Sequence, residues 1–252
     1  MKFVEGYTTR KNLINKTSVG PYNYAINHVQ GCAHGCKYPC FAYMMAFRYG
    51  RVNSYEQWTK PYIVENALEL IEQEIPRIKT KTDSVHLCFA TDPFMYEYEE
   101  IADLSIKLIR KLNYSGIHCT VLTKGILPFE LAGLSTANEY GISLISLDEN
   151  YRRKVEPGAA SYYDRVQALY RLHLQGCKTY VNIEPYPTPN MVDQDIFQLL
   201  EAISFVDWIG FGKLNYNKQI EDYPGYEGFY RQIRQDIRDF CATTKIACYI
   251  HG

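Results

Sequence analysis

The chain has 252 residues, 46% of them hydrophobic, and a formal net charge of -1. That length and apolarity suffice for a real core, and α/β barrels of about 250 residues fold as one unit; the near-neutral charge argues against non-specific wrapping of nucleic acid, which needs a basic surface. No stretch approaches about 18 uninterrupted apolar residues, and Met1-Lys2-Phe3-Val4-Glu5-Gly6 lacks the apolar region of an export signal, so a cytoplasmic protein with no membrane association is expected.

No repeat, low-complexity tract or linker divides the chain, so residues 1–252 read as a single domain. In chain order, strands are predicted at Tyr24 to Val29, Val85 to Ala90, His118 to Leu122, Gly141 to Leu147, Lys178 to Ile183 and Val206 to Phe211. Helical spacing runs through Val64 to Ile75, Glu99 to Leu112, Tyr162 to Leu174, Ile196 to Ile203 and Gly228 to Cys241. Strand followed by helix, repeated, predicts a parallel sheet with crossover helices, as either a partial barrel or an open doubly wound sheet. In both, function collects at the carboxyl ends of the strands. The chain closes on Ala247-Cys248-Tyr249-Ile250, which also reads as a strand and leaves room for a C-terminal extension or a segment supplied by a protein partner.

Behind the first strand comes Cys32-Ala33-His34-Gly35-Cys36-Lys37-Tyr38-Pro39-Cys40. Three thiols this close suit a soft metal centre. A structural zinc site is closed by four protein ligands, and Cys32, His34, Cys36 and Cys40 would make a non-catalytic zinc-binding interaction module. A cubane cluster held by three cysteines instead leaves one iron open. The other five cysteines, Cys88, Cys119, Cys177, Cys241 and Cys248, are scattered and read as reduced core thiols. Polar groups follow the remaining strands as well: Thr91-Asp92-Pro93, Thr123-Lys124-Gly125, Ser146 to Glu149, Glu184-Pro185-Tyr186-Pro187 and Gly212-Lys213-Leu214-Asn215. A zinc knuckle has no need of such a ring, which favours an enzyme.

With these residues in view the chain resembles the radical S-adenosylmethionine (radical SAM) superfamily, and within it the branch related to spore photoproduct lyase. The segments that carry the resemblance are Gly31 to Ala42, Thr91-Asp92-Pro93-Phe94, Leu122-Thr123-Lys124 and Glu156-Pro157-Gly158-Ala159-Ala160 with Arg165, in the family's order. One departure is Pro39, which changes the usual CxxxCxxC to CxxxCxxxC and places the chain in a distinct subfamily, some of whose members are encoded beside a protein partner. The resemblance implies a partial (β/α)6 barrel of the radical SAM type. It also implies a [4Fe–4S] cluster on Cys32, Cys36 and Cys40, whose fourth iron takes the amino and carboxylate groups of S-adenosylmethionine. Reduction of the cluster would then release a 5′-deoxyadenosyl radical, with electrons from a reductant such as flavodoxin or ferredoxin.

The same resemblance assigns further residues. Tyr38 would pack near the adenine, or simply cover the loop. Thr91 and Asp92 would receive the methionine amino group and Lys124 its carboxylate. Ser146, with Ser143 as its rival because register is not fixed by sequence, would meet the ribose hydroxyls. Glu184 would bond the ribose or pair with Lys124, and Arg165 would join the cofactor site or brace it by pairing with Glu156. Cys88 lies four residues before Asp92, on the same face if the strand continues, and is a candidate hydrogen-atom donor; a buried structural thiol is the alternative. The substrate stays open between damaged nucleic acid, a nucleoside, a peptide and a protein.

Overall fold

The computed structural model of the chain describes residues 1–17 and 23–250. A small sheet joins β1 (Gly6–Thr8), β4 (Val29–Gln30) and β5 (Tyr62–Val64). The main sheet contains β2 (Ile14–Lys16), β3 (Tyr24–Ile26), β6 (Ser84–Leu87), β7 (His118–Thr123), β8 (Glu139–Ser143), β9 (Lys178–Tyr186), β10 (Trp208–Lys213) and β11 (Ala247–Ile250). Its strands lie side by side in chain order, all parallel except β2, which is antiparallel to β3.

Helices α1 (Phe41–Arg48) and α2 (Tyr55–Trp58) follow the cysteine loop, and α3 (Ala67–Ile78), α4 (Glu99–Tyr114), α5 (Glu149–Val155), α6 (Tyr162–Leu174), α7 (Ile196–Ala202), α8 (Lys218–Glu221) and α9 (Tyr226–Thr244) fill the later connections. Parallel neighbours in chain order require every crossover to return on the same side, because such connections are right-handed. One face of the sheet is therefore the helix face, and its side chains show it. Leu87, Val121 and Tyr140 are register partners, as are Ile142, Val181 and Ile209, and all belong to the core shared with Leu108, Leu112, Leu169, Leu172, Leu199 and Ile237 of the helices. The opposite face is polar, aromatic or small: His86 opposite Thr120, Gly141 opposite Tyr180 and Trp208, and Ser143 opposite Asn182 and Gly210. A sheet covered on one side and polar on the other is, of the two arrangements open from the strand–helix alternation, the partial barrel that the resemblance implies.

Several boundaries differ from the expectation. The first predicted strand is two strands: β3 belongs to the main sheet, and after Asn27 and His28 the chain crosses to the small sheet as β4. The second stops at Leu87, because Cys88 adopts φ +55°. The fourth covers Glu139–Ser143; Leu144 and Ile145 beyond it are fully buried but lie past the strand's end, with Leu144 N still donating to Asn182 O at 3.1 Å. The fifth runs on to Tyr186, whereas the strand expected at Ala247 to Ile250 is present as β11, the seventh parallel strand.

Candidate active site

The cysteine loop leaves β4 at Gly31 and is shaped by backbone contacts. Gly31 has φ +78°, and a Cβ there would lie 2.5 Å from Lys60 O and 2.7 Å from Trp58 O, so only glycine lets the chain turn here. Cys32 N donates to Trp58 O at 2.8 Å, Tyr55 Oη donates to Cys36 O, and Lys37 N donates to Val155 O at 2.7 Å. Cys40 is the N-cap of α1, its carbonyl accepting from Met44 N at 2.9 Å. All three thiols are free and half-buried. Burial, reinforced by Asp92 and by Cys36, pushes Cys32 well above the ordinary thiol range; burial pushes Cys36 up to about 11 against the pull of Lys124. These two bare thiols are neutral, so ligating a metal centre releases protons.

His34 is not a fourth ligand. It is 1% exposed, its Nε2 donates to Asp92 Oδ2 at 2.9 Å, and its Nδ1 lies 3.3 Å from Gly158 O. Among the described residues no three His, Cys, Asp or Glu side chains converge to hold a single metal ion. The zinc-module expectation is corrected accordingly: the ring that would close the site is turned inward and used elsewhere. A cubane, which spaces its ligating sulfurs farther apart than one ion does, fits three thiols with no fourth protein donor.

Asp92 is the centre of the site's hydrogen bonding. Oδ2 also accepts from Lys124 N at 2.8 Å, while Oδ1 accepts from Phe94 N at 2.9 Å and Thr123 Oγ1 at 2.6 Å. Burial would raise this carboxyl; the His34 ring and the donors from Thr123 and Lys124 hold it down at about 2. All four bonds come from the protein, a different set of partners from the expected methionine ammonium. Thr91 donates its hydroxyl to Val29 O at 3.2 Å.

Lys124 follows β7 with its backbone fixed at both ends, since its carbonyl accepts from Ala160 N at 3.0 Å. Its ammonium makes no hydrogen bond or ion pair with the described residues. Burial lowers its pKa, but the neighbouring Cys36 and Glu156 outweigh that and raise it. Glu156 itself is held below the usual carboxylate range: burial opposes ionisation, and Arg165, Lys124 and the Tyr38 hydroxyl overcome it. Tyr38 Oη donates to Glu156 Oε1 at 2.7 Å, so Tyr38 points inward and anchors the cysteine loop. Arg165 Nη2 donates to Glu156 Oε2 at 2.8 Å and Nη1 to Ser143 O at 2.9 Å; with no exposed surface, Arg165 is a brace and not a free cofactor ligand. An unpaired ammonium flanked by thiols is thus left facing the site, the complement of a carboxylate.

The other expected residues lie on β8 and β9, in the turn before α5 and behind the loop. Ser143, not Ser146, ends β8, and its hydroxyl donates to Glu184 O at 3.1 Å; Ser146 Oγ instead accepts from Asp148 N at 3.0 Å in the turn before α5. Glu184 lies within β9, not at its end, and makes no ion pair with Lys124; its carboxylate accepts from Asn182 Nδ2 at 3.4 Å and lies over Gly212, where a Cβ would be 2.4 Å from Glu184 Cδ. Cys88 is 3% exposed, with its Sγ 3.4 Å from His28 Nδ1 in an apolar cluster behind the loop, and burial pushes it up to about 12. Its left-handed backbone ends the strand, so the expected shared face with Asp92 does not exist. Thr123, Asn182 and the tie between His34 and Gly158 were not singled out from sequence, although the Thr123-Lys124 and Glu156-Pro157-Gly158 segments marked their neighbourhoods.

Residues 26–203 match the sequence profile of the Radical SAM superfamily. An uncharacterised protein of Methanocaldococcus jannaschii is 27% identical over 209 residues, 81% of this chain and 75% of that protein. An uncharacterised protein of Mycobacterium tuberculosis is 26% identical over 202 residues, 77% of this chain but only 58% of the relative. In fold, the chain resembles spore photoproduct lyase with bound AdoMet and dinucleoside spore photoproduct, at TM-score 0.66 and 13% identity over 98% of this chain and 81% of that one. It also resembles Streptococcus suis SuiB bound to S-adenosylmethionine, at TM-score 0.52 and 16% identity over 72% of this chain and 42% of that one. No helix of the described residues is long and apolar enough to cross a membrane. The profile spans well over half of the chain and includes the cysteine loop, Asp92, Lys124 and Arg165: the chain belongs to the radical SAM superfamily, whose cofactors are a [4Fe–4S] cluster and S-adenosylmethionine.

Proposed function

We propose that the chain reductively cleaves S-adenosylmethionine to a 5′-deoxyadenosyl radical and directs it at a nucleic-acid-related substrate. The observation that carries the cofactor part is the unpaired Lys124 ammonium beside the cysteine loop. When bound, the cluster and S-adenosylmethionine supply the one-electron chemistry, with electrons from a small reductant such as a flavodoxin or ferredoxin. The chain's own residues position and shield. Cys32, Cys36 and Cys40 would ligate three irons and Lys124 would meet the methionine carboxylate; Tyr38, Glu156 and Arg165 lock the loop to the sheet; Ser143 and Glu184, on the polar face, would be the groups offered to the ribose.

The substrate part rests on local surface. Residues 37–60 carry Lys37, Arg48, Arg51 and Lys60 against one acidic residue, Glu56, in a chain whose overall charge is -1. Phe41, Phe47 and Tyr49 are at least half exposed in the same stretch. Aromatic faces interleaved with cations suit stacked bases and phosphates. The dinucleoside bound by spore photoproduct lyase belongs to that protein, but its fold is shared.

Anaerobic reconstitution tests the first part. About four irons and four sulfides per chain are expected, with 5′-deoxyadenosine formed on reduction, and Ala at Cys32, Cys36 or Cys40 should abolish both. One zinc and no sulfide would sink the reading. For the second part, a short single-stranded oligonucleotide should bind in low salt, and Arg48→Ala with Arg51→Ala should weaken it; no binding at low salt refutes the nucleic-acid assignment.

A further inference from the structure

The geometry points to His34 as a positioning residue: by donating to Asp92 it fixes the cysteine loop at a set distance from Lys124, so that the cluster and the seat of the methionine carboxylate move as one unit. This deepens the reading above and rests on it.

A single oxygen makes the connection. Asp92 Oδ2 accepts both from His34 Nε2 at 2.9 Å and from the backbone N–H of Lys124 at 2.8 Å. The cysteine loop and the end of β7 are therefore held to each other through one atom. The link closes into a cycle, because Lys124 O accepts from Ala160 N at 3.0 Å and Gly158 N donates to His34 O at 2.9 Å. Each joint is itself constrained. Thr123 Oγ1 donates to Asp92 Oδ1 and accepts from Gly125 N at 2.8 Å. A Cβ at Gly125 would sit 1.7 Å from Phe94 O, and one at Gly158 2.1 Å from Ala33 O, so both glycines are close-packed joints. His34 lies between the first two cluster cysteines, and among the described residues its side chain is the loop's contact with Asp92. Lys124, whose ammonium is otherwise unpaired, thus takes its place relative to the thiols from the His34–Asp92 bond.

Two substitutions separate the ends of the ring. The Gln amide nitrogen overlays Nε2 and keeps the Asp92 bond; the Asn amide nitrogen overlays Nδ1 and keeps only the Gly158 side. In reconstituted protein, His34→Gln should bind S-adenosylmethionine as the wild type does and show the same change in the electron paramagnetic resonance signal of the reduced cluster. His34→Asn, at equal iron content, should bind about tenfold to a hundredfold more weakly, the range for residues that orient a metal site from behind its ligands. Equal affinity in the two variants, whether unchanged or equally weakened, overturns the inference. Should His34→Asn fail to load iron, Thr123→Val removes an Asp92 anchor without touching the loop; it should load iron normally and lose affinity in the same range, and wild-type affinity there also overturns the inference. Hydrogen exchange at residues 123–125 in metal-free protein keeps this test apart from the reading of the site. It should be faster in His34→Asn than in wild type and His34→Gln, and no difference sinks the strut even where cluster assembly itself has failed.

Discussion

Arg165 and Glu156 form an ion pair with no exposed surface on either side, Nη2 to Oε2 at 2.8 Å. The guanidinium is held in two further directions, since Nη1 reaches Ser143 O at 2.9 Å and Nε reaches Ala160 O at 3.0 Å. The carboxylate's second oxygen holds Tyr38 at 2.7 Å, next to Cys36 in the loop. One buried pair therefore joins the cysteine loop, the end of β8 and the start of α6.

Removing one partner of such a pair leaves an uncompensated buried charge and costs about 3–5 kcal/mol. Arg165→Met, close in volume, should lower the unfolding free energy by that amount in urea titrations. Arg165→Lys should recover little of it, because a single ammonium cannot reproduce the three-directional fork. A loss below about 1 kcal/mol in Arg165→Met, the worth of an exposed pair, would show that the pair is solvated in solution.

Lys124→Ala should weaken S-adenosylmethionine binding by roughly tenfold to a hundredfold, from about 1.5–3 kcal/mol for a hydrogen bond to a charged group. Iron content should stay at the wild-type level, because Lys124 is not a ligand. Isothermal titration of reconstituted protein measures the first quantity and metal analysis the second. Unchanged affinity with an intact cluster would remove Lys124 from the binding site.

How far the sequence foretold this architecture depends on which force decides each element. The prediction for α6 matches the observed Tyr162–Leu174, where an apolar stripe coincides with a start at Ser161, whose side chain accepts from Asp164 N. The predicted fourth strand runs past Ser143 because apolar character reports burial: Leu144 and Ile145 are buried, but the strand ends before them, at a last bond from Leu144 N to Asn182 O. Cys88 illustrates a limit of a different kind: period two assumes strand backbone, and nothing in Leu87-Cys88-Phe89 announces φ +55°. Cys32, Cys36 and Cys40 stand out in sequence by spacing alone. His34 does not, since a histidine between cysteines reads equally as a ligand or as a strut, and only its bond to Asp92, 58 positions away, decides. Asp92 stands out in sequence as a functional carboxylate, yet of its four donors Phe94 N alone is local, while His34 lies 58 positions away and Thr123 and Lys124 lie 31 and 32 away, a meeting that only the fold brings about.

Gly158→Ala should disturb the loop from behind. The added Cβ would meet Ala33 O at 2.1 Å and His34 Cα at 3.1 Å, all of it backbone that cannot swing aside. Overpacking of this kind costs about 1–3 kcal/mol. Here the displaced element carries Cys32 and Cys36, so the variant should melt lower and also take up less iron and sulfide than wild type. Gly176→Ala is the control: it has open space around its Cβ position but φ +79°, so it should lose some stability through backbone strain and keep its full metal content. Full cluster loading in Gly158→Ala would show that the loop tolerates displacement.

Acid should destabilise the fold well above the range where most carboxylates titrate. His28 and His86 are buried, and burial lowers them to about 3 and about 4, with Arg10 adding to the effect at His28. His28 Nε2 lies 2.7 Å from Ser105 Oγ, and His86 Nδ1 lies 2.8 Å from Thr120 Oγ1. Near pH 7 both rings are neutral in the folded and unfolded chains alike. As pH falls below about 6.5, the unfolded chain takes up protons that the folded chain refuses, so stability declines with falling pH, by up to about 1.4 kcal/mol per unit for each ring. Together they should cost up to about 2.7 kcal/mol per unit between roughly pH 6 and pH 4. Urea unfolding at pH 7, 6 and 5 measures the slope, and His86→Gln, which cannot protonate, should roughly halve it. A slope in His86→Gln equal to that of the wild type would mean that His86 titrates normally in the folded chain.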